Sequence, residues 1–254
     1  FQGRAKDFNG APWTGGLPFT LKFDYTYDEI LRSYEDSLLR FGLNRIDVLV
    51  IHDLDRIYHR TEKHIQQRFL ELESGWKALD ELKRTGEIRA FGAGINDKSM
   101  MSRFLKECPL DFFLVAMPYT LLDQDVLDDI FPKCTSLGVG VVVGAPYASG
   151  ILASGAIQGA KYKYADATPQ VIQKVRSFES LCDDHQIPLK AAALQFPLGH
   201  PLVAAIIPGA FQPEQASENR QLVEFPIPSA FWEDCKSVRL IRIDAPTPKT
   251  LVNY

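Results

Sequence analysis

Five short apolar runs, at residues 46–51, 88–93, 112–116, 139–143 and 202–207, recur through this chain, each preceded by an amphipathic stretch. The first holds Val48, Leu49, Val50 and Ile51, a block without polar alternation that reads as a strand buried on both faces. Ahead of it, Ile30, Leu31, Tyr34, Leu38 and Phe41 trace one helical face, closed by Gly42. Thr26 and Glu29 have the spacing of a capping box. Phe69, Leu72, Trp76, Leu79 and Leu82 trace a second face, with Gly86 past its end. Further helices are predicted over 99–107, 125–137 and 169–185, from Pro213 onward, and over 228–238. Helix-then-strand repetition specifies an α/β fold with a parallel sheet and right-handed crossovers. Residues 1–23 show no apolar period and read as a long loop with Trp13 and Phe19 as anchors.

At 254 residues the chain suits one α/β barrel or two small domains, and no composition shift marks a domain-scale linker. A net charge of −4 with no basic run argues against a nucleic-acid or anionic-membrane partner. The four cysteines lie far apart without a CxxC pair, which favours reduced thiols and a cytoplasmic setting. Residues 134–160 carry no formal charge, but six glycines and Pro146 there favour strand plus loop over a membrane helix. Nothing in the pattern fixes an oligomeric state.

Chemistry in a parallel α/β protein gathers where loops leave the carboxyl ends of strands. His52 stands at such an end, followed by Asp53. It reads as a catalytic group or as a structural histidine bonded to neighbouring backbone. A metal cluster with Asp53, Asp55, His59 and His64 is disfavoured, because no second ligand pair has helical spacing on a convincing element; His59 and His64, in a charged segment, read as solvated. Ser149, Gly150, Ile151, Leu152 and Gly155 follow the fourth run. Glycines there let backbone approach a phosphate, and Ser149 adds a hydroxyl donor. Gly209 and Ala210 leave the fifth run, before a helix carrying Gln215, Glu218 and Asn219. Two such adjacent loops form a phosphate-site geometry common in α/β barrels, or are two ordinary connections. Asn96 reads equally as a ligand for a carboxamide or as a helix start.

Four segments, RIDVLVIHDLD from Arg45, GWKALDELKRTGEIRAFGAGIND from Gly75, APYASGILASG from Ala145 and IIPGAFQPEQASEN from Ile206, resemble the aldo-keto reductases. Within that family they are most similar to the branch of pyridoxal 4-dehydrogenase, L-fucose dehydrogenase and related aldose dehydrogenases. The resemblance implies a (β/α)8 TIM barrel that binds a nicotinamide cofactor, NAD or NADP, at its carboxyl face. It implies hydride transfer to or from a small-molecule carbonyl, alcohol or sugar substrate, with His52 orienting the reacting oxygen. It places Ser149 to Gly155 at the pyrophosphate, and Gly209, Ala210, Gln215, Glu218 and Asn219 at the adenosine. Asn96 falls near the carboxamide, and Tyr147 on the nicotinamide side as a stacking surface.

Of the family's Asp, Tyr, Lys and His tetrad, His52 alone has a counterpart here. Setting Gln2, Gly3 and Arg4 on the family's Lys-x-Gly-Arg run puts Phe1 where the Lys belongs. The expectation is one barrel domain over residues 1–254 whose first three β/α units, ~90 residues at the barrel's usual spacing, lie upstream. A chain starting at Phe1 is then expected to turn over no substrate. The rivals are a catalytically inactive binding or scaffold protein and a cofactor-independent activity with His52 as general base. NAD is favoured over NADP, since residues 202–219 hold no Lys or Arg to meet a 2′-phosphate.

Overall fold

The structure, a computed structural model, describes residues 22–249 and two upstream backbone pairs, Gln2–Gly3 (β1) and Phe19–Thr20 (β2), which run antiparallel. Trp13, the Phe19 side chain and most of the loop expected over residues 1–23 lie outside the described residues. The chain continues through α1 (Tyr27–Phe41), β3 (Val48–His52), α2 (Arg56–His59), α3 (Glu62–Arg84), β4 (Ala90–Gly94), α4 (Lys98–Glu107) and β5 (Phe112–Ala116). A 3-10 turn (Asp125–Leu127), α5 (Ile130–Leu137), β6 (Gly140–Gly144) and α6 (Ile151–Ser154) follow. Then come a small antiparallel pair, β7 (Lys161–Tyr162) and β8 (Ala165–Asp166), and α7 (Pro169–Asp184), α8 (Leu189–Leu198), β9 (Val203–Ile207), α9 (Pro213–Val223) and α10 (Ser229–Ser237).

Each of the five predicted runs contributes a strand. They form one sheet in the order β3-β4-β5-β6-β9, with every pairing parallel. Register sets the strand ends: His52 pairs with Gly94, so it is the last rung of β3 instead of the residue after it. β3 is not buried on both faces. It is the end strand of this order, with Val48 44% exposed and Ile51 its one buried residue.

Other expectations fail for reasons that differ from one to the next. The helix expected over 125–137 breaks before Ile130, because Pro132 lacks an N–H and its ring would clash with the carbonyl of Asp128. The capping box at Thr26 does not form. Thr26 Oγ1 instead donates to Asp24 Oδ1 at 2.8 Å. Phe41, counted on the inner face of α1, is 70% exposed, while Gly42 does close the helix at φ 63°. α8 carries no period because almost all of it is buried. Gln195 within it donates to the carbonyls of Leu222 and Phe225, at 2.9 and 2.7 Å.

The chain divides into two compact units. The first comprises Phe1–Asp47 and His59–Ile88, within which α1 packs on α3. Gly75 allows this approach, since a Cβ there would strike the Tyr25 carbonyl. Tyr27 and Tyr34 donate hydroxyl hydrogen bonds to Glu81 (2.6 Å) and Glu87 (3.1 Å). Phe69, Leu72, Trp76, Leu79 and Leu82 are all buried, as their spacing predicts. His59 corrects the reading of a solvated residue. It is 6% exposed, 3.4 Å from the Tyr25 hydroxyl and edge-on to Phe23, whereas His64 is exposed.

The second unit, Val48–Tyr58 with Arg89–Tyr254, holds the five-stranded sheet, with Phe91, Ala93, Phe113, Val115, Val141 and Val143 in its core. Burial pushes the thiol of Cys134 up to about 11 and those of Cys182 and Cys235 up to about 12, and no disulfide involves any of the four cysteines. Among the described residues no helix is long and apolar enough to cross a membrane.

Candidate active site

The turns that leave the sheet concentrate backbone strain. Ten described non-glycine residues have positive φ, and five of them, Asp53, Met117, Ala145, Ala148 and Ser149, sit within five residues of the carboxyl ends of β3, β5 and β6. Such conformations cost of order 1–3 kcal/mol each and collect at functional sites. This end of the sheet also carries His52, Asn96, Tyr147 and the 149–155 segment.

At β3, the His52 side chain is 64% exposed, and its Nδ1 lies 2.9 Å from Asp53 Oδ1. The adjacent Asp53 carboxylate raises the imidazole's pKa above its ordinary value, against partial desolvation, with Asp55 adding in the same direction. Asp55 is buried and caps α2, accepting from the amides of Ile57 (2.8 Å) and Tyr58 (3.3 Å). On the neighbouring strand, a Cβ at Gly94 would lie 2.6 Å from His52 Cδ2. The absent side chain is what gives the imidazole its place. Asn96 is exposed and is not the helix start. Its Oδ1 accepts from the Ala116 amide at 2.8 Å, and Asp97 caps α4 in its stead. The Asn96 NH2 group is the part left to meet a ligand.

At β6 and β9 the arrangement differs. Tyr147 is buried and donates to Asn219 Oδ1 at 2.6 Å, and burial followed by the nearby Glu218 raises its pKa. Ser149 Oγ donates to Met117 Sδ at 3.4 Å and accepts from the Tyr164 amide at 3.2 Å. The amides of Gly150 and Leu152 both bond to the Tyr147 carbonyl, and Ile151 and Leu152 are buried. Gly155 packs on Glu179, into which a Cβ would run. Added Cβ atoms at Gly150 and Gly209 would meet nothing within 4 Å, so backbone is approachable there, and Ala210 is exposed. Gln215 Oε1 accepts from the amides of Phe211 (2.7 Å) and Gln212 (3.2 Å), closing the start of α9. Glu218 pairs with Lys190 at 2.9 Å, and Arg220 is 84% exposed on its side chain, 3.9 Å from Glu224.

Tyr147 and Asn219 are thus brought together directly, and Glu218 lies close enough to Tyr147 to act on its hydroxyl. Gln215 closes its own helix start. Among the described residues no group of three or more His, Cys, Asp or Glu could hold a metal ion. Sequence reasoning missed Gly94, Met117 and Lys190. The small residues of Ala90–Gly94 are a signal for Gly94, whereas Lys190 precedes residues 202–219 in sequence and reaches them only through the fold. A cleft of about 350 Å³ opens elsewhere, beside the β7–β8 pair, where Asp166 and Arg176 line it.

A parallel α/β sheet with a histidine at a strand tip is a scaffold shared by many chemistries, and comparison makes it specific. The chain belongs to the aldo/keto reductase family, whose model matches residues 17–240. It is 38% identical over 229 residues to pyridoxal 4-dehydrogenase of Microbacterium luteolum, covering 90% of this chain and 67% of that protein. It is 32% identical over 228 residues to D-threo-aldose 1-dehydrogenase of a Pseudomonas species, covering 89% and 65%. The chain therefore spans about two thirds of the length of these relatives. An aldo-keto reductase of Bacillus halodurans in its holo form superposes with a TM-score of 0.66 at 26% identity, covering 89% of this chain and 71% of that one. The glycerol dehydrogenase of Gluconobacter oxydans shares the fold, with a TM-score of 0.66 at 19% identity over 92% and 70% of the two chains.

Proposed function

We propose that the whole protein is a nicotinamide-dependent oxidoreductase acting on a small sugar, alcohol or aldehyde, with His52 orienting the reacting oxygen. The observation that carries this reading is the exposed His52 imidazole at the carboxyl end of β3, held by Asp53 in a chain of this family. The residues fit a dinucleotide in a particular way. Open backbone at Gly150 and Gly209 would take the pyrophosphate and adenosine ends, with Ser149, Ile151, Leu152, Gly155, Ala210, Gln215, Glu218 and Asn219 shaping their surroundings. Asn96 would offer its NH2 group to the carboxamide, and the Tyr147 ring a stacking surface. Bound there, the cofactor supplies or accepts hydride. The residues of this chain bind it and hold the substrate oxygen at His52. The five strands described belong, in this reading, to a single barrel domain.

NAD is the preferred cofactor. A 2′-phosphate needs a cation, and the candidates are engaged or distant: Lys190 is matched by Glu218, and Arg220 lies at the surface near Glu224. Dissociation constants for NAD and NADP, with nicotinamide absorbance followed over a panel of aldehydes and aldoses, test this. Tighter NADP binding overturns the preference. Failure to bind either dinucleotide overturns the function and supports a scaffold protein.

A further inference from the structure

We propose that the cleft beside the β7–β8 pair is a binding site for a small organic carboxylate, gripped by Arg176 and seated against the 156–160 loop. Its lining residues are none of those assigned above to dinucleotide or substrate, so it stands apart from the oxidoreductase reading. The cleft, of about 350 Å³, opens between that loop, the end of β8 and the first half of α7. Ile157, Ala160, Ala167 and Ile172 give it apolar walls. Its polar groups are unevenly matched. The Arg176 guanidinium is exposed and has no ion pair or hydrogen bond among the described residues. The amides of Gln158 and Gly159 are uncommitted in the same sense, as is the Gln158 side chain. The acids nearby are already engaged. Asp166 is held by Lys161 at 2.6 Å, and Glu179, one turn beyond Arg176, accepts from the Ala156 amide at 3.0 Å. What remains open is chiefly donors, one of them carrying a full positive charge.

The loop is held in place without help from these groups. The amides of Ile157 and Ala160 donate to the carbonyls of Gly155 (2.9 Å) and Ile157 (3.3 Å), and the Ala167 amide ties the loop to β8 through the Ala160 carbonyl at 2.9 Å. Gly159 turns the chain at φ 78°, and a Cβ there would meet nothing within 4 Å, so its backbone is open to a ligand. A guanidinium presents a planar fork that a carboxylate meets with two parallel hydrogen bonds. The apolar walls favour a compact hydrocarbon or ring behind that carboxylate, which inorganic anions lack.

Nitrogen-15 NMR of the 254-residue chain, titrated with benzoate and with its neutral analogue benzamide, tests this. Benzoate should give saturable shifts, in the millimolar range, at the Gly159 amide and the Arg176 Nε–H, and benzamide none. Arg176→Gln removes the charge at an exposed position and should weaken benzoate binding by about tenfold or more. Arg176→Lys keeps the charge without the fork and should fall between the two. The same amide spectra report whether each variant is folded. Acetate, with the carboxylate but no ring, should bind more weakly than benzoate. His52→Ala should leave benzoate affinity unchanged, which separates this cleft from the candidate active site. Equal affinity for benzamide, undiminished binding in folded Arg176→Gln, or no saturable shift at Gly159 overturns the proposal. Failure to bind either dinucleotide would sink the function proposed above and leave this site standing.

Discussion

The β3–β4 end of the candidate site and the β6–β9 end are built on opposite principles. At β3–β4 the polar groups point outward: His52 is mostly exposed, and Asn96 commits only its oxygen, to the Ala116 amide. At β6–β9 polar side chains of equal promise are tied to one another: Tyr147 to Asn219, Glu218 to Lys190, Gln215 to the start of α9. One end offers side chains for chemistry. The other offers backbone and shape, with its side chains serving as the frame. Identical polar substitutions should therefore be read out in turnover at the first end and in stability at the second.

The sharpest test of this contrast is His52→Ala. In the whole enzyme, turnover should fall by ~10²-fold or more, the usual loss for a positioned catalytic group, while melting temperature hardly moves. Equal losses of activity and stability would erase the distinction. Asn219→Ala should do the reverse, leaving the buried Tyr147 hydroxyl unpaired at a cost of about 1–3 kcal/mol in chemical denaturation. If it changes only cofactor affinity, the frame reading fails.

The smallest expected effect lies in pH. With its pKa raised in the folded state, His52 contributes stability that is fully present below its ordinary value, about 6.5, and lost as pH rises through the raised one. The gap in melting temperature between wild type and Asp53→Asn should shrink over that window, and a flat gap would count against the pairing.

Much of the scaffold was legible because its signals are local. The period of Phe69 to Leu82, the breaker at Gly42 and the apolar runs each report on their own few residues. Two exceptions depend on partners distant in sequence or on burial. α8 is buried almost throughout, so periodicity cannot reveal it, and His59 looked solvated because Phe23 and Tyr25 approach from far along the chain. Pro132 carries a local signal, a break in the helix expected over 125–137. The candidate site divides the same way. The adjacency of His52 and Asp53 is written in the sequence, whereas the pairing of Tyr147 with Asn219 crosses 72 positions.

Gly94 brings a consequence for how this site can vary. Because a Cβ there would lie 2.6 Å from Cδ2 of the His52 ring, positions 52 and 94 are energetically coupled. A change at 94 displaces the imidazole as surely as a change at 52 removes it, and the second lesion adds little to the first. Relatives that keep the histidine in this pose should be found to carry glycine at the matching rung of the adjacent strand.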